Sequence, residues 1–119
     1  MESIPYDKRS GKIWFDGKSV NWSDVKIHVL SHGLHYASCI FEGERVYDGE
    51  IFKLEEHTER LFHSASRMGF KIPYSSELLN KACKEIIEMT VCTFFICISW
   101  PFSCTDTCMT SNLIQYPTY

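Results

Sequence analysis

Several features are scarce in this chain of 119 residues. No apolar stretch reaches the roughly 20 residues that a membrane-spanning helix needs; the longest, residues 91–102, falls well short. The N-terminus, MESIPYDKRSGK, has no apolar core followed by small residues, so it does not read as a secretory signal. No basic stripe interleaves with aromatics, and the net charge of −3 gives no pull toward nucleic acid or anionic membrane. There is no CxxC pair. Cys39 and Cys83 stand apart, while Cys92, Cys97, Cys104 and Cys108 are irregularly spaced with no histidine among them. Neither a disulfide framework nor a metal site is expected from them. With 45% hydrophobic and 23% charged residues, the chain reads as one ordinary cytoplasmic domain.

The last absence divides the chain. From Thr90 onward there is no lysine, arginine or glycine, and Asp106 is the sole acidic residue. A terminal helix or strand in water normally carries charge on one face. Residues 1–89 are therefore expected to form the folded unit. Residues 90–119 are expected to be an atypical tail: out of frame, disordered, or an exposed apolar strand seeking a partner. There are no internal repeats.

What is present upstream has the punctuation of an α+β unit. KIWFDGKSV reads as a β-hairpin, because Asp16-Gly17 supplies the positive φ angles of a tight turn. DVKIHVLS alternates Val25, Ile27 and Val29 with Lys26 and His28, which predicts a half-buried strand. SCIFEGERVYDGEIFKL predicts a longer strand, a second turn at Asp48-Gly49 and a short return strand. Leu54, Leu61, Phe62, Ala65 and Met68 recur at helical spacing opposite Glu55, Glu56 and Glu59, and Gly69 is a natural stop. Pro73 falls in the next loop. Ser75 or Ser76 can cap a second helix whose buried stripe is Leu78, Leu79, Ala82, Cys83, Ile86 and Ile87.

The segment SHGLHYASCIFEGERVY, residues 31–47, concentrates the candidate chemistry. In a strand, Cys39, Phe41, Gly43, Arg45 and Tyr47 share one face, and Ile40, Glu42, Glu44 and Val46 share the other. Gly43 then leaves a hollow between an aromatic ring and a guanidinium, suited to a small ligand with one apolar and one polar or anionic part. The simpler reading is a β-bulge at Gly43 and a solvated Arg45. His32 and His35 could meet on a helical turn as metal ligands, or hold the loop by hydrogen bonds. Arg60, on the first helix, is either a surface charge or a bidentate phosphate ligand.

Taken together, these motifs resemble the N-terminal small domain of branched-chain-amino-acid aminotransferases, class IV, fold-type IV enzymes that use pyridoxal 5′-phosphate. The hairpin, the HGLHY loop, the FEGER strand and the EHTERL helix occur in that family's order. The resemblance implies an antiparallel sheet of hairpin-connected strands with two helices packed on it. It implies that Arg60 binds the cofactor phosphate, and that Tyr36, Phe41, Gly43 and Arg45 line a substrate pocket sharing one concavity with Arg60. By family, the substrates are Leu, Ile or Val with 2-oxoglutarate, and the enzyme is homo-oligomeric.

Two departures stand out. The lysine that joins the cofactor lies in the family's larger domain, and no lysine follows Lys84 here. The family's Tyr-x-Arg-Pro strand is replaced by FFICISWPF, without the arginine. The chain is therefore expected to be a truncated form, inactive alone. The alternative is a non-catalytic module that pairs with a separate large domain or a homologue.

Overall fold

Asp16 and Gly17 both take positive φ, 50° and 84°, and between them turn β1 (Lys12–Phe15) into β2 (Lys18–Asn21). The strands pair antiparallel, with Phe15 opposite Lys18. Tyr74, from the later helix–helix loop, donates its hydroxyl to Asp16 Oδ1 at 3.0 Å and stands edge-on to Trp14 with ring centroids 5.1 Å apart. The hairpin tip is thereby tied to the helical layer. This computed structural model describes residues 4–69, 71–89, 95–101 and 112–116.

The fold is α+β. A single turn of helix, α1 (His32–His35), leads into β3 (Cys39–Glu44), and β4 (Val46–Tyr47) and β5 (Glu50–Ile51) make a separate two-stranded ribbon. Asp48 and Gly49 turn that ribbon with φ of 50° and 83°. Then come α2 (Leu54–Arg67), α3 (Ser76–Glu88), β6 (Phe95–Pro101) and β7 (Asn112–Tyr116). The main sheet runs β2-β1-β7-β6-β3, antiparallel throughout, with β3 at one edge.

Both helices match the predicted spacing. Leu54, Thr58, Leu61 and Ala65 of α2 are buried, as are Leu79, Ala82, Cys83, Ile86 and Ile87 of α3. Thr58 donates to Asn80 Oδ1 at 2.5 Å, linking the two helices. Ser75 caps α3 by accepting from Leu78 N at 3.3 Å. Gly69 follows α2 at φ 74°, where only glycine is unstrained.

Four expectations are corrected. Val25–His28 is not a strand; no described neighbour pairs with it, and it ends in a turn at Val29-Leu30. Alternation makes a segment compatible with a sheet, but a strand also needs an edge to pair with. The long strand after Ser38 breaks at Arg45, whose carbonyl accepts from Phe52 N at 2.8 Å and so belongs to the ribbon. Leu78 and Met68 are exposed, each beyond the rim of its helix's apolar stripe. The apolar run near residue 95 is no free patch in its backbone, because β6 pairs with β3 on one side and β7 on the other. The rest of the expected tail, residues 90–94, 102–111 and 117–119, lies outside the described residues.

The core carries one anomaly. Glu44 is 0% exposed, and among the described residues neither carboxyl oxygen has a hydrogen-bond partner. Burial first, then the negative charges of Glu42 and Glu55, push its pKa up to about 8. Cys83 faces it from α3, its thiol pKa raised by burial and by Glu44. On β6 its register partner is Ile96, in a strand with no charged residue. Since the folded pKa lies above the ordinary 4.5, the folded state holds the extra proton. Stability from this group is full below about pH 4.5 and is lost as pH rises through about 8.

Two measurements follow from this. Urea denaturation of the wild type between about pH 5 and about pH 8 is expected to show stability falling with pH, at a slope of up to about 1.4 kcal/mol per unit. Glu44→Gln flattens that slope; an unchanged slope would show that Glu44 is not its source. Ser75→Ala is expected to cost about 1 kcal/mol through loss of the α3 cap, read from the same denaturation midpoint.

Candidate functional site

The inward face of β3 carries Ile40, Glu42 and Glu44, and the outward face carries Cys39, Phe41 and Gly43. This alternation decides where each candidate residue stands. Helix α2 packs against the inward face and brings His57 and Arg60, one turn apart, over Glu42. Arg60 donates Nε to Glu42 Oε1 at 2.7 Å and Nη2 to Oε2 at 2.6 Å, a side-on bidentate pair. His57 Nδ1 lies 2.8 Å from the same Oε2.

Glu42 is buried at 4% exposure, while the Arg60 side chain is 64% exposed. Burial alone would raise the Glu42 pKa. The hydrogen bonds from Arg60 and His57, and their charges, outweigh it and hold the carboxyl below its usual range. The same contact raises the Arg60 pKa, so that group is cationic at any working pH.

The outward candidates form a different surface. Phe41 is exposed, Gly43 half-buried and Arg45 exposed beyond the strand end, as the alternation predicts. Arg45 Nη1 donates to Tyr47 Oη at 3.5 Å and its pKa is raised by that hydrogen bond. Tyr36, at the end of α1, is 73% exposed, with its ring centroid 5.1 Å from that of His32. The histidines of this loop do hold it: His35 Nε2 meets Val29 O at 2.6 Å, and His28 Nδ1 accepts from Leu30 N at 3.1 Å. Among the described residues, no group of three or more His, Cys, Asp or Glu gathers to hold a metal ion.

One expected juxtaposition is therefore corrected. Arg60 reaches the face of β3 that carries Glu42, whereas Phe41 and Gly43 lie on the other face and Arg45 follows the strand end. The two described concavities lie elsewhere: one of about 320 Å³ between the ribbon and α3, the other along α3 itself. A helix can cover only one face of a strand, and α2 covers the face of the even-numbered residues. Glu42 and His57, central to the cluster, were not singled out from the sequence. Their signal was available in the register: Glu42 shares the Ile40–Val46 face, and His57 stands three residues before Arg60.

The comparisons with known proteins place this α+β unit among fold-type IV enzymes. The family model for class IV aminotransferases matches residues 39–96. A probable branched-chain-amino-acid aminotransferase of Rickettsia felis is 49% identical over 88 residues, covering 74% of this chain and 30% of that protein. The crystal structure of the Escherichia coli branched-chain amino acid aminotransferase superposes with a TM-score of 0.83 at 30% identity, over 92% of this chain and 40% of that one. The branched-chain aminotransferase of the thermophilic archaeon Thermoproteus uzoniensis, solved with norvaline, gives 0.80 at 30% identity, over 92% and 41%. Residues 39–96 thus match the class IV aminotransferase model, and in sequence and fold the chain is similar to the N-terminal part of branched-chain aminotransferases. It spans under a third of the length of the curated relatives it matches. Among the described residues no helix is long and apolar enough to cross a membrane.

Removing the cation should be felt by the carboxylate it covers. Arg60→Ala is expected to raise the Glu42 pKa, seen by NMR titration of the side-chain carboxyl, and to lower the denaturation midpoint. Arg60→Lys recovers only part of both, because a point charge cannot replace the planar fork. A Glu42 titration unmoved by Arg60→Ala would mean that the pair is not formed in solution.

Proposed function

We propose that this chain carries the small-domain half of the site of a pyridoxal 5′-phosphate-dependent branched-chain aminotransferase. What supports this most is Arg60, a solvent-facing guanidinium held by a buried carboxylate at the position the resemblance assigns to the cofactor phosphate. An always-charged planar donor set with unused N–H groups fits a phosphate dianion. Because β3 is an edge strand, a ligand lying along its open side could reach Arg60 from one face and the substrate-lining residues from the other.

In this reading Arg60 binds and orients the phosphate. Tyr36, Phe41, Gly43 and Arg45 line the substrate pocket, where the absent side chain of Gly43 leaves room for a Leu, Ile or Val side chain. Phe41 excludes water beside it, and Arg45 offers a cation to a carboxylate. The cofactor, when bound, supplies the electron sink needed to move an amino group between an amino acid and 2-oxoglutarate. The assembled enzyme is a cytoplasmic homo-oligomer.

Residues 1–119 have no lysine beyond Lys84 to take a proton at the substrate α-carbon, so by themselves they do not transaminate. Purified protein supplied with pyridoxal 5′-phosphate, leucine and 2-oxoglutarate is expected to give no glutamate and no absorbance band of cofactor joined to the protein beyond the spectrum of the free cofactor. Turnover would overturn the inactivity, and failure to distinguish pyridoxal 5′-phosphate from pyridoxal would overturn the phosphate role of Arg60.

A second reading, a module that pairs with a separate large domain or a homologue, draws support from the loop before β3. Ile27, Val29, Leu30 and Leu34 are all exposed there, close in sequence to exposed Tyr36 and Phe41.

A further inference from the structure

We propose that Glu42, braced by His57, is a positioning residue that aims Arg60 at the phosphate. This rests on the phosphate role of Arg60 given above and extends it to two side chains that do not themselves touch the ligand.

The geometry of the guanidinium carries the inference. Its five N–H groups form two usable edges: a side-on edge of Nε and one Nη, and an end-on edge of the two Nη atoms. Glu42 occupies the side-on edge through Nε and Nη2. The end-on edge remains, with Nη1 and the second hydrogen of Nη2, and no described residue accepts from Nη1. That edge can present two parallel N–H groups to two oxygens of a tetrahedral anion. A long, exposed arginine left to itself would scatter over many rotamers and would lose that freedom on binding. Fixed at its side-on edge by a carboxylate rooted in β3, it has already lost it.

Stability is a weak explanation for the arrangement. The neighbours of Glu42 on the same strand face, Ile40 and Val46, are apolar and buried, and an apolar residue would pack there without needing partners. A buried carboxylate is useful where its direction matters. His57 supports that direction: its Nδ1 sits 2.8 Å from Oε2, on the helical turn before Arg60. Ring and guanidinium lie side by side, with 3.4 Å between His57 Nδ1 and Arg60 Nη2.

The test exploits a difference in sign. Glu42 is an anion close to where a phosphate dianion would bind. If it only folds the chain or competes for Arg60, Glu42→Gln removes repulsion and strengthens phosphate binding. If it aims Arg60, Glu42→Gln weakens it, because the amide offers one acceptor where the fork needs two. The full chain is titrated with pyridoxamine 5′-phosphate and with pyridoxamine, whose amine groups cannot condense with lysine, and the Arg60 Nε–H resonance is followed by 15N NMR. The expected result is a preference for the phosphorylated form that falls by about tenfold in Glu42→Gln. The Arg60 resonance should broaden in that variant even without ligand.

His57→Phe, which leaves the charges of Glu42 and Arg60 in place, is expected to lower the preference by a smaller factor and serves if Glu42→Gln does not fold. Arg60→Ala should abolish the preference. If Arg60→Ala abolishes it while Glu42→Gln and His57→Phe leave or increase it, the positioning role is overturned and the phosphate role stands. If Arg60→Ala leaves the preference intact, the phosphate role itself is wrong.

Discussion

Two carboxylates leave β3 on the same face, two residues apart, and their environments drive them to opposite protonation states. Glu42 lies at the end where α2 brings a guanidinium and an imidazole over it, and it is held ionised. Glu44 is fully buried, with no hydrogen-bond partner for its carboxyl among the described residues, and is pushed toward the neutral form. The difference comes from how far along the strand the helix can deliver hydrogen-bond donors. His57 and Arg60 sit on successive turns of α2 and reach Glu42. Next along the strand, Glu44 meets Cys83 of α3 and the negative charge of Glu55. One strand face thus carries a polar clamp at one point and an unsatisfied core position at the next.

The clamp links fold to function. It is built from the inward face of an edge strand, yet its outer member reaches solvent, so a core contact determines how a surface cation is presented. The outward face of the same strand carries Phe41 and Gly43, and Arg45 follows where the strand ends. A strand with both faces in use and one edge open can serve a ligand from either side.

The strands β6 and β7 change how the chain's organisation reads. The shift in composition near Thr90 suggested a boundary, but the two described strands of that stretch sit at the middle of the main sheet, between β1 and β3. An inner strand paired on both sides has no need of the solubilising charge that an edge requires, which accounts for FICISWP carrying none.

Local signals in the sequence were sufficient for both Asp-Gly turns, the Ser75 cap, the Gly69 stop and the two amphipathic helices, because each depends on residues within a turn or two of chain. The alternation of β3 was likewise legible and correctly separated Phe41, Gly43 and Arg45 from Glu42 and Glu44. The sequence could not say which face α2 would cover. That choice placed Arg60 on the side of Glu42 and put His57 beside it; separately, the sheet left Val25–His28 without a described neighbouring strand. Each of these depends on contacts between residues far apart in the chain, or on a pairing edge being free, and such long-range geometry exists only once the sheet and helices have packed.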